Sequence, residues 1–465
     1  MTKRYAFALS IMILSYSVRA EAQIRLPASA SASNATAAAS NATKVDVPRQ
    51  LTLDKAEEIL LLNNLTLTSA RYGVDVARAQ RLLASLRPNP TVTVAAEQFD
   101  AGHPLREIIS TNPNVAANKF YTLRYDQVFE LGDKRRLRTQ VAGLQLKAAE
   151  AQVLDATRQQ LFQLKQAFYT SVLARENLRV ADENLYLINS TEQLIKVRVE
   201  TGDLAEGELI KFQSNKVQYQ RDLVSSQLAY QQAVRDVLNI LGAEPANVAG
   251  MISTGGPDQL PQLLADAPIE VIGDLKTEPL AVSLVELRQA AILNRPDVIA
   301  AQRTVEAAQS VLDLANALRH RDVDLAWEYQ RNGGENTLGV VVSVPVFVHN
   351  NHQGEIDQAL AQLQQARTQL TQIKLQAMTD VDKAYRANES SQRMMGLYTA
   401  ETVQKAEESF RIAGVSYKEG ATSLLELRDA QRTYNQTRVA SNQAHFDYRM
   451  SLYQLELATG RDLLK

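Results

Sequence analysis

KRRLRTQVAGLQLKAAEAQVLDATRQQLFQLKQAFYTSVLARENLRVADENLYLINSTEQLIKVRV, residues 134–199, is the stretch that decides the fold. It holds no proline, its only interior glycine is Gly143, and it is rich in Gln, Ala, Leu, Lys and Glu, all good helix formers. Apolar residues recur mostly at three-, four- and seven-residue steps: Leu154, Leu161, Leu164, Phe168, Val172, Leu178 and Leu185. That spacing puts them on one stripe and the charges on the other faces. A helix of about 65 residues at ~1.5 Å each is ~100 Å long. Such a rod must pack against other long helices, and the chain supplies them by using the same plan twice.

Outward from the rod, Leu51-Thr52-Leu53-Asp54 opens the first copy, with Asp54 expected to cap a short helix that ends near Asn63-Asn64. A second helix is expected over about 66–86, stopped by Pro88-Asn89-Pro90. Strands are expected over about 91–99 and 120–129, separated by a polar, proline-containing loop from Asp100 to Asn118. Each strand is near the ~9–11 residues that cross a bilayer as tilted β. Glu130-Leu131-Gly132-Asp133 leads into the long helix, over about 134–199, and Glu200-Thr201-Gly202-Asp203 permits a sharp reversal. A return helix over about 204–241 ends at Gly242.

After a Pro/Gly-rich connector, 243–281, the order repeats over 282–465. Asn294-Arg295-Pro296 breaks a helix, and the next helix runs from about Val298 to Leu318. Strands are expected over about 323–329 and 338–348 around a tight turn at Arg331-Asn332-Gly333-Gly334. A long helix over about 354–415, a reversal at Tyr417-Lys418-Glu419-Gly420 and a return helix over about 421–459 complete it. Counted from Gly202 and Gly420, the return helices align without a gap: Glu208-Leu209 falls on Glu426-Leu427, and Gln213 on Gln431. The chain is therefore read as a duplication, 51–242 and 282–465, of one helix–strand–strand–long helix–helix unit.

The 465 residues carry a net charge of −2 and no cysteine. Near-zero charge argues against non-specific nucleic-acid binding. Absent cysteine removes disulfides, thiolate metal sites and a cysteine-linked lipid anchor. Lys3 and Arg4, the apolar run Tyr5 to Val18 and the small-x-small site Ala20-Glu21-Ala22 read as a secretory signal peptide, residues 1–22. Residues 23–50, including an Ala/Ser/Asn tract from Ala28 to Thr43, read as a flexible lead-in. No apolar run of roughly 18 residues follows, so no membrane-spanning helix is expected.

Four membrane-length strands cannot face lipid as an open sheet, because each unpaired edge N–H or C=O costs several kcal/mol there. Closure must come from other copies of the chain. A trimer gives twelve strands; a dimer or tetramer is also permitted. The same symmetry would set the long helices side by side in a hollow barrel. The reading of another class is a periplasmic coiled-coil scaffold with two small hairpins and no pore.

This arrangement resembles the TolC-like outer-membrane efflux family. The resemblance covers Leu51 to Gly460 and is carried by the duplication, by Tyr121 to Phe129 followed by Glu130-Leu131-Gly132-Asp133-Lys134-Arg135, and by Val344-Pro345-Val346-Phe347. The Glu-x-Gly-x-Lys-Arg run is similar to the cobalt–zinc–cadmium branch, although Asp133 stands where that family usually has a second glycine. The resemblance implies a trimer with a 12-stranded outer-membrane β-barrel continuous with a periplasmic α-helical barrel. It implies a passive exit duct, not an enzyme and without cofactor, for heavy-metal cations. Its partners would be a periplasmic adaptor (membrane fusion) protein, an inner-membrane resistance-nodulation-division transporter and outer-membrane lipid. Drug efflux and type I protein secretion are the alternative cargoes.

The same resemblance makes Glu208, Glu426 and Asp429 entrance carboxylates. Glu426 and Asp429, three apart, share a helix face, and copies around an axis would form cation-favouring rings; an ordinary solvated helix face is the alternative. Tyr417 occupies the family's gate position, and Thr422 stands where the family often has a bridging arginine, so closure is expected to rely on other contacts. Thr201, Gly202, Asp203 and Leu204, with Glu419, Gly420 and Ala421, form the helical tips that would meet the adaptor. His349 and His352 flank Asn350-Asn351 without the ligand set a metal needs. Lys134, Arg135, Arg136 and Arg138 suit lipid headgroups, a partner's acids or a solvated face. Trp327, Tyr329, Phe129 and Phe347 suit an interfacial aromatic belt or packing at the junction. No catalytic constellation is visible: there is no Gly-rich phosphate loop and no His-Glu-x-x-His.

Overall fold

A computed structural model describes residues 47–97, 120–243, 267–279, 283–332 and 335–463. The expected signal peptide, nearly all of the lead-in, the end of the first strand beyond Glu97, the loop from Asp100 to Asn118, most of the 243–281 connector and the Gly333-Gly334 pair lie outside these residues. In chain order the elements are β1 (Gln50–Leu51), α1 (Leu53–Asn63), α2 (Leu65–Ser85), β2 (Thr91–Glu97), β3 (Phe120–Phe129), α3 (Lys134–Glu200) and α4 (Glu206–Ile240). Then follow β4 (Glu270–Val271), α5 (Leu284–Asn294), α6 (Pro296–Ala317), β5 (Val323–Asn332), β6 (Glu335–Ser343), α7 (Gln353–Leu397), α8 (Ala400–Lys418) and α9 (Leu424–Thr459).

The long strands form one antiparallel sheet in the order β2-β3-β5-β6. Its register aligns Val92, Tyr125, Trp327 and Val340 in one row, and Val94, Leu123, Tyr329 and Leu338 in the next. Partners across an antiparallel ladder share a face, and successive residues alternate. One face is therefore apolar, with Val94 74% and Leu338 87% exposed. The opposite face carries Arg124, which pairs with Asp126 at 2.6 Å and lies 3.8 Å from Glu328. Trp327 tilts against Tyr125 at 5.9 Å on the apolar side.

Helix α3 runs against α2, α6, α4 and α9, and α7 against α6 and α9. Of its expected stripe, Leu164, Phe168, Val172 and Leu178 are buried, but Leu154 is exposed. The entry to α3 needs two left-handed residues, Gly132 (φ 72°) and Asp133 (φ 59°). A Cβ at Gly132 would lie 2.7 Å from His320, so glycine is required there by space as well as by φ. Asp133 has Cβ room and belongs to the few residue types that tolerate this region. His352, also such a type, takes φ 58° at the matching entry to α7.

The duplication is visible in how the helices are locked. The Asn64 side chain caps α2 by accepting from Leu67 N at 3.0 Å and donates to Ile240 O at 2.8 Å. In the second copy Arg295 donates to Ala458 O at 3.3 Å and pairs with Asp297 and Asp380 at 2.7 and 3.0 Å. Gly242 and Gly460 end the return helices against these same breaks, 3.1 Å from Asn63 O and 3.2 Å from Arg295 Cα for an added Cβ.

Several boundaries differ from expectation for identifiable reasons. The second long helix is broken: Tyr398 leaves helical geometry, and the Thr399 side chain starts α8 by accepting from Thr402 N. Thr399, with Gly396 nearby, favours a new start, whereas the first copy has Val180-Ala181 at the corresponding place and runs on. Thr52, not Asp54, is the N-cap of α1. Arg331 and Asn332 pair within β5 rather than turning, and β6 ends at Ser343, before Pro345. The return helices begin at Glu206 and Leu424, later than expected, because a short extended loop follows each reversal, ending at Ala205 in the first and at the Ser423 cap in the second. The last part of the 243–281 connector is integral to the fold: β4 pairs parallel to β1, and Arg175 binds the carbonyls of Val271 and Gly273.

Unfolding of the purified protein should separate the two left-handed positions. Gly132→Ala is expected to cost about 2 kcal/mol or more, and Asp133→Gly to stay within about 1 kcal/mol of wild type.

Candidate functional site: the helical tips

Both reversals close with the same hydrogen bonds. Asp203 N donates to Arg198 O at 2.9 Å and Gly202 N to Val199 O at 3.1 Å; Ala421 N donates to Ser416 O at 2.8 Å and Gly420 N to Tyr417 O at 3.1 Å. This is the Schellman pattern, which needs a left-handed residue just past the helix. Gly202 and Gly420 supply it at φ 81° and 76°, with no neighbour closer than 3.9 Å to an added Cβ, so conformation rather than space selects glycine. Thr201 Oγ1 adds a bond to Asp203 at 2.8 Å. Leu204 is half-buried in the tip core, while Glu419 and Ala421 are exposed.

A small core joins the two hairpins: Ile188, Ile195, Phe212, Tyr417 and Leu427, with Leu204 and Leu424 packed on it. Tyr417 is buried, and its hydroxyl has no hydrogen-bond partner among the described residues. Arg198 covers it: the guanidinium sits 4.7 Å from the ring centre and donates to Tyr417 O at 2.8 Å and Lys418 O at 3.0 Å. One arginine from the first copy thus caps the last turn of α8 in the second, where a cation and its N–H groups are favoured. Among the described residues Thr422 makes no side-chain hydrogen bond.

Beside this core Glu192 is buried between α3 and α4, bonded to Lys216 at 2.8 Å, Gln213 at 3.0 Å and Lys196 at 3.1 Å. The Lys216 bond, with help from Gln213 and Lys196, outweighs burial and holds its pKa at about 2. The ionised carboxylate therefore stabilises the tips fully above the ordinary carboxylate range, and that contribution is lost as pH falls toward 2. Neither Arg198 nor Glu192 stood out in the sequence, because each looks like one more charge on a long helix.

The three carboxylates expected at an entrance differ. Glu208 pairs with Lys211 at 2.9 Å and Asp429 with Arg432 at 2.8 Å, both on the surface. Glu426 is exposed and has no ion-pair partner among the described residues; its backbone N–H donates to the Ser423 cap at 3.3 Å. At the other end of the helices, Lys134 is buried against Asp322 at 2.8 Å and Arg138 is clamped on Glu130 at 2.7 Å. Two of the four cations of that run are thus structural. His352 contacts Glu355 at 3.2 Å and packs edge-on to Phe347, and no group of three or more potential metal ligands gathers among the described residues. Phe129, Trp327 and Tyr329 line the apolar sheet face, whereas Phe347 lies outside the sheet.

Hydrogen exchange at the tips tests both features. Arg198→Ala should speed exchange of the Ser416–Ala421 amides about tenfold, and Arg198→Lys should restore little, since lysine cannot fork and stack at once. In wild type the tips should loosen between about pH 5 and pH 2; Glu192→Gln should abolish that pH dependence and lower tip protection at pH 7.

Residues 287–461 match the family model of outer membrane efflux proteins. The cobalt-zinc-cadmium resistance protein CzcC of Cupriavidus metallidurans is 21% identical over 398 residues, covering 84% of this chain and 85% of that protein. The pyoverdine export outer membrane protein OpmQ of Pseudomonas putida is 23% identical, covering 80% and 73%. The solved outer-membrane channel OprN superposes with a TM-score of 0.70 at 18% identity, over 88% of this chain and 89% of that one. In fold the chain is thus like the solved outer-membrane channels, and its residues 287–461 match the outer membrane efflux protein model.

Proposed function

We propose that three copies of this chain close a 12-stranded β-barrel that continues as a periplasmic tube of helices, forming the passive exit duct of a tripartite efflux pump. The observation that carries this reading is the sheet. It has one apolar and one charged face, and both of its edges, β2 and β6, lack a partner strand among the described residues. An apolar-out, polar-in alternation with strands of this length is what a membrane barrel requires, and only further strands can satisfy the edges. On this reading the tips receive a periplasmic adaptor, and an inner-membrane resistance-nodulation-division transporter supplies the energy. The duct itself performs no chemistry.

Heavy-metal cations are the proposed cargo. The likeness to CzcC supports it, and so does charge: the polar sheet face sets one cation, Arg124, against Asp126, Asp324 and Glu328, and Glu426 adds an unneutralised carboxylate near the tips. The likeness to OpmQ supports the organic-cargo alternative. For the gate, Thr422 supplies no bridging arginine, and the Arg198–Tyr417 contact is a lock of another kind. It holds the two hairpins of one subunit together, and adaptor docking would have to shift them as a unit or break it.

Planar-bilayer recording tests the duct: purified protein should conduct and prefer cations, and a protein that inserts but never conducts would overturn the reading. Glu426→Ala should lower the cation-to-anion permeability ratio more than Asp429→Ala, because Arg432 already neutralises Asp429. Deleting the protein should reduce tolerance to zinc, cobalt or cadmium; unchanged metal tolerance with raised drug sensitivity would replace the cargo.

A further inference from the structure

The cations left over at the foot of the sheet have a use that the duct does not require. Arg81 on α2, Arg87 before β2, and Arg135 and Lys147 on α3 have no ion-pair partner among the described residues, unlike Lys134, Arg136 and Arg138. They line two adjoining open hollows of about 920 and 810 Å³, which share Asp133, Arg135 and Arg136. Of the carboxylates on the walls, Glu130 and Asp133 are already paired with Arg138 and Arg136, leaving Glu150 against the four free cations. The smaller hollow is also lined by Phe129 and Leu131, which are 49% and 47% exposed. Phe129 pairs with Val323 in the lowest row of the apolar face. The hydrocarbon-facing surface thus ends on a cationic depression.

We infer that this depression binds the phosphate of an anionic phospholipid in the inner leaflet, with its acyl chain along Phe129 and the apolar sheet face. The inference rests on the barrel reading. A membrane phosphate is the anion always present where an apolar band stops, and juxtamembrane Lys and Arg attract anionic headgroups. Arginine suits the role because its fork matches phosphate oxygens. A partner subunit's carboxylate is the rival occupant. On the barrel reading a partner's strand would pair at β2 or β6; Arg81 and Arg87 lie on the approach to β2, whereas Phe129, Arg135 and Arg136 belong to the junction of the interior strand β3 with α3.

The only tryptophan, Trp327, makes the test direct. The full-length mature protein with Phe129→Trp and Trp327→Phe is placed in phosphatidylcholine vesicles containing dibrominated phosphatidylglycerol or dibrominated phosphatidylcholine, and quenching is compared. Phosphatidylglycerol should be preferred at position 129 by about fivefold or more, falling to near one with Arg81→Gln and Arg135→Gln. Equal quenching by the two lipids overturns the inference. So does loss of the oligomer in the arginine variants with equal quenching, which would assign the depression to a partner's acids. Wild-type Trp327 separates the underlying reading: no quenching there by either lipid overturns the barrel itself, whereas quenching there with no preference at position 129 overturns this inference alone. Native mass spectrometry of the unmodified protein repeats the comparison without substitutions; retention of phosphatidylglycerol over phosphatidylcholine is expected, and equal retention overturns it.

Discussion

A strand edge facing hydrocarbon has nowhere to put its N–H and C=O groups, and each one left unpaired costs several kcal/mol. That constraint organises the molecule. The sheet β2-β3-β5-β6 satisfies its two interior strands and leaves β2 and β6 open. A soluble protein would cover such edges or blunt them with charge. Here β6 carries Leu338, Val340 and Val342 outward, all more than half exposed, beside that open edge. Those side chains are a liability in water and an asset in lipid. On the proposed reading the sheet is a segment of a larger closed wall.

Below the sheet the problem changes from edges to length. Helices of this extent need registration along their whole course, and two equivalent locks provide it. Asn64 and Arg295 each tie the break between two short helices to the last turn of a return helix, through Ile240 O and Ala458 O. The copies reach the same contact with different chemistry: a neutral amide in one, a buried guanidinium neutralised by Asp297 and Asp380 in the other. Arg198 performs a third registration at the far end, across the copies rather than within one. The tips are therefore paired hairpins joined by a few specific bonds over a small core, not a deeply packed domain.

Much of this was legible in the residues. The long helix, the paired strands, the glycine reversals and the gap-free match of Gly202 with Gly420 are written in periodicity and spacing, where local propensity and final structure agree. What was not legible depends on partners far away in the chain. Arg198 acquires meaning only when residue 417 is brought to it, and Glu192 only when Lys216 folds back on it. The break at Tyr398-Thr399 was missed because periodicity continues through it; the Thr399 cap and Gly396 were the local signs. Nor does spacing alone show that Lys211 and Arg432, one turn away, neutralise Glu208 and Asp429 and leave Glu426 exposed.

The central claim is that β2 of one copy pairs with β6 of the next until the wall closes. Because the chain has no cysteine, engineered pairs report on this alone. Within one subunit β2 and β6 are three strand spacings apart, ~14 Å, beyond the reach of a disulfide. Val94→Cys combined in turn with Leu338→Cys, Val340→Cys and Val342→Cys samples the unknown register between subunits. Oxidation in membranes should give, for at least one pair, a covalent ladder that stops at three subunits. Uncrosslinked single subunits for all three pairs, or a ladder without a limit, would contradict the account.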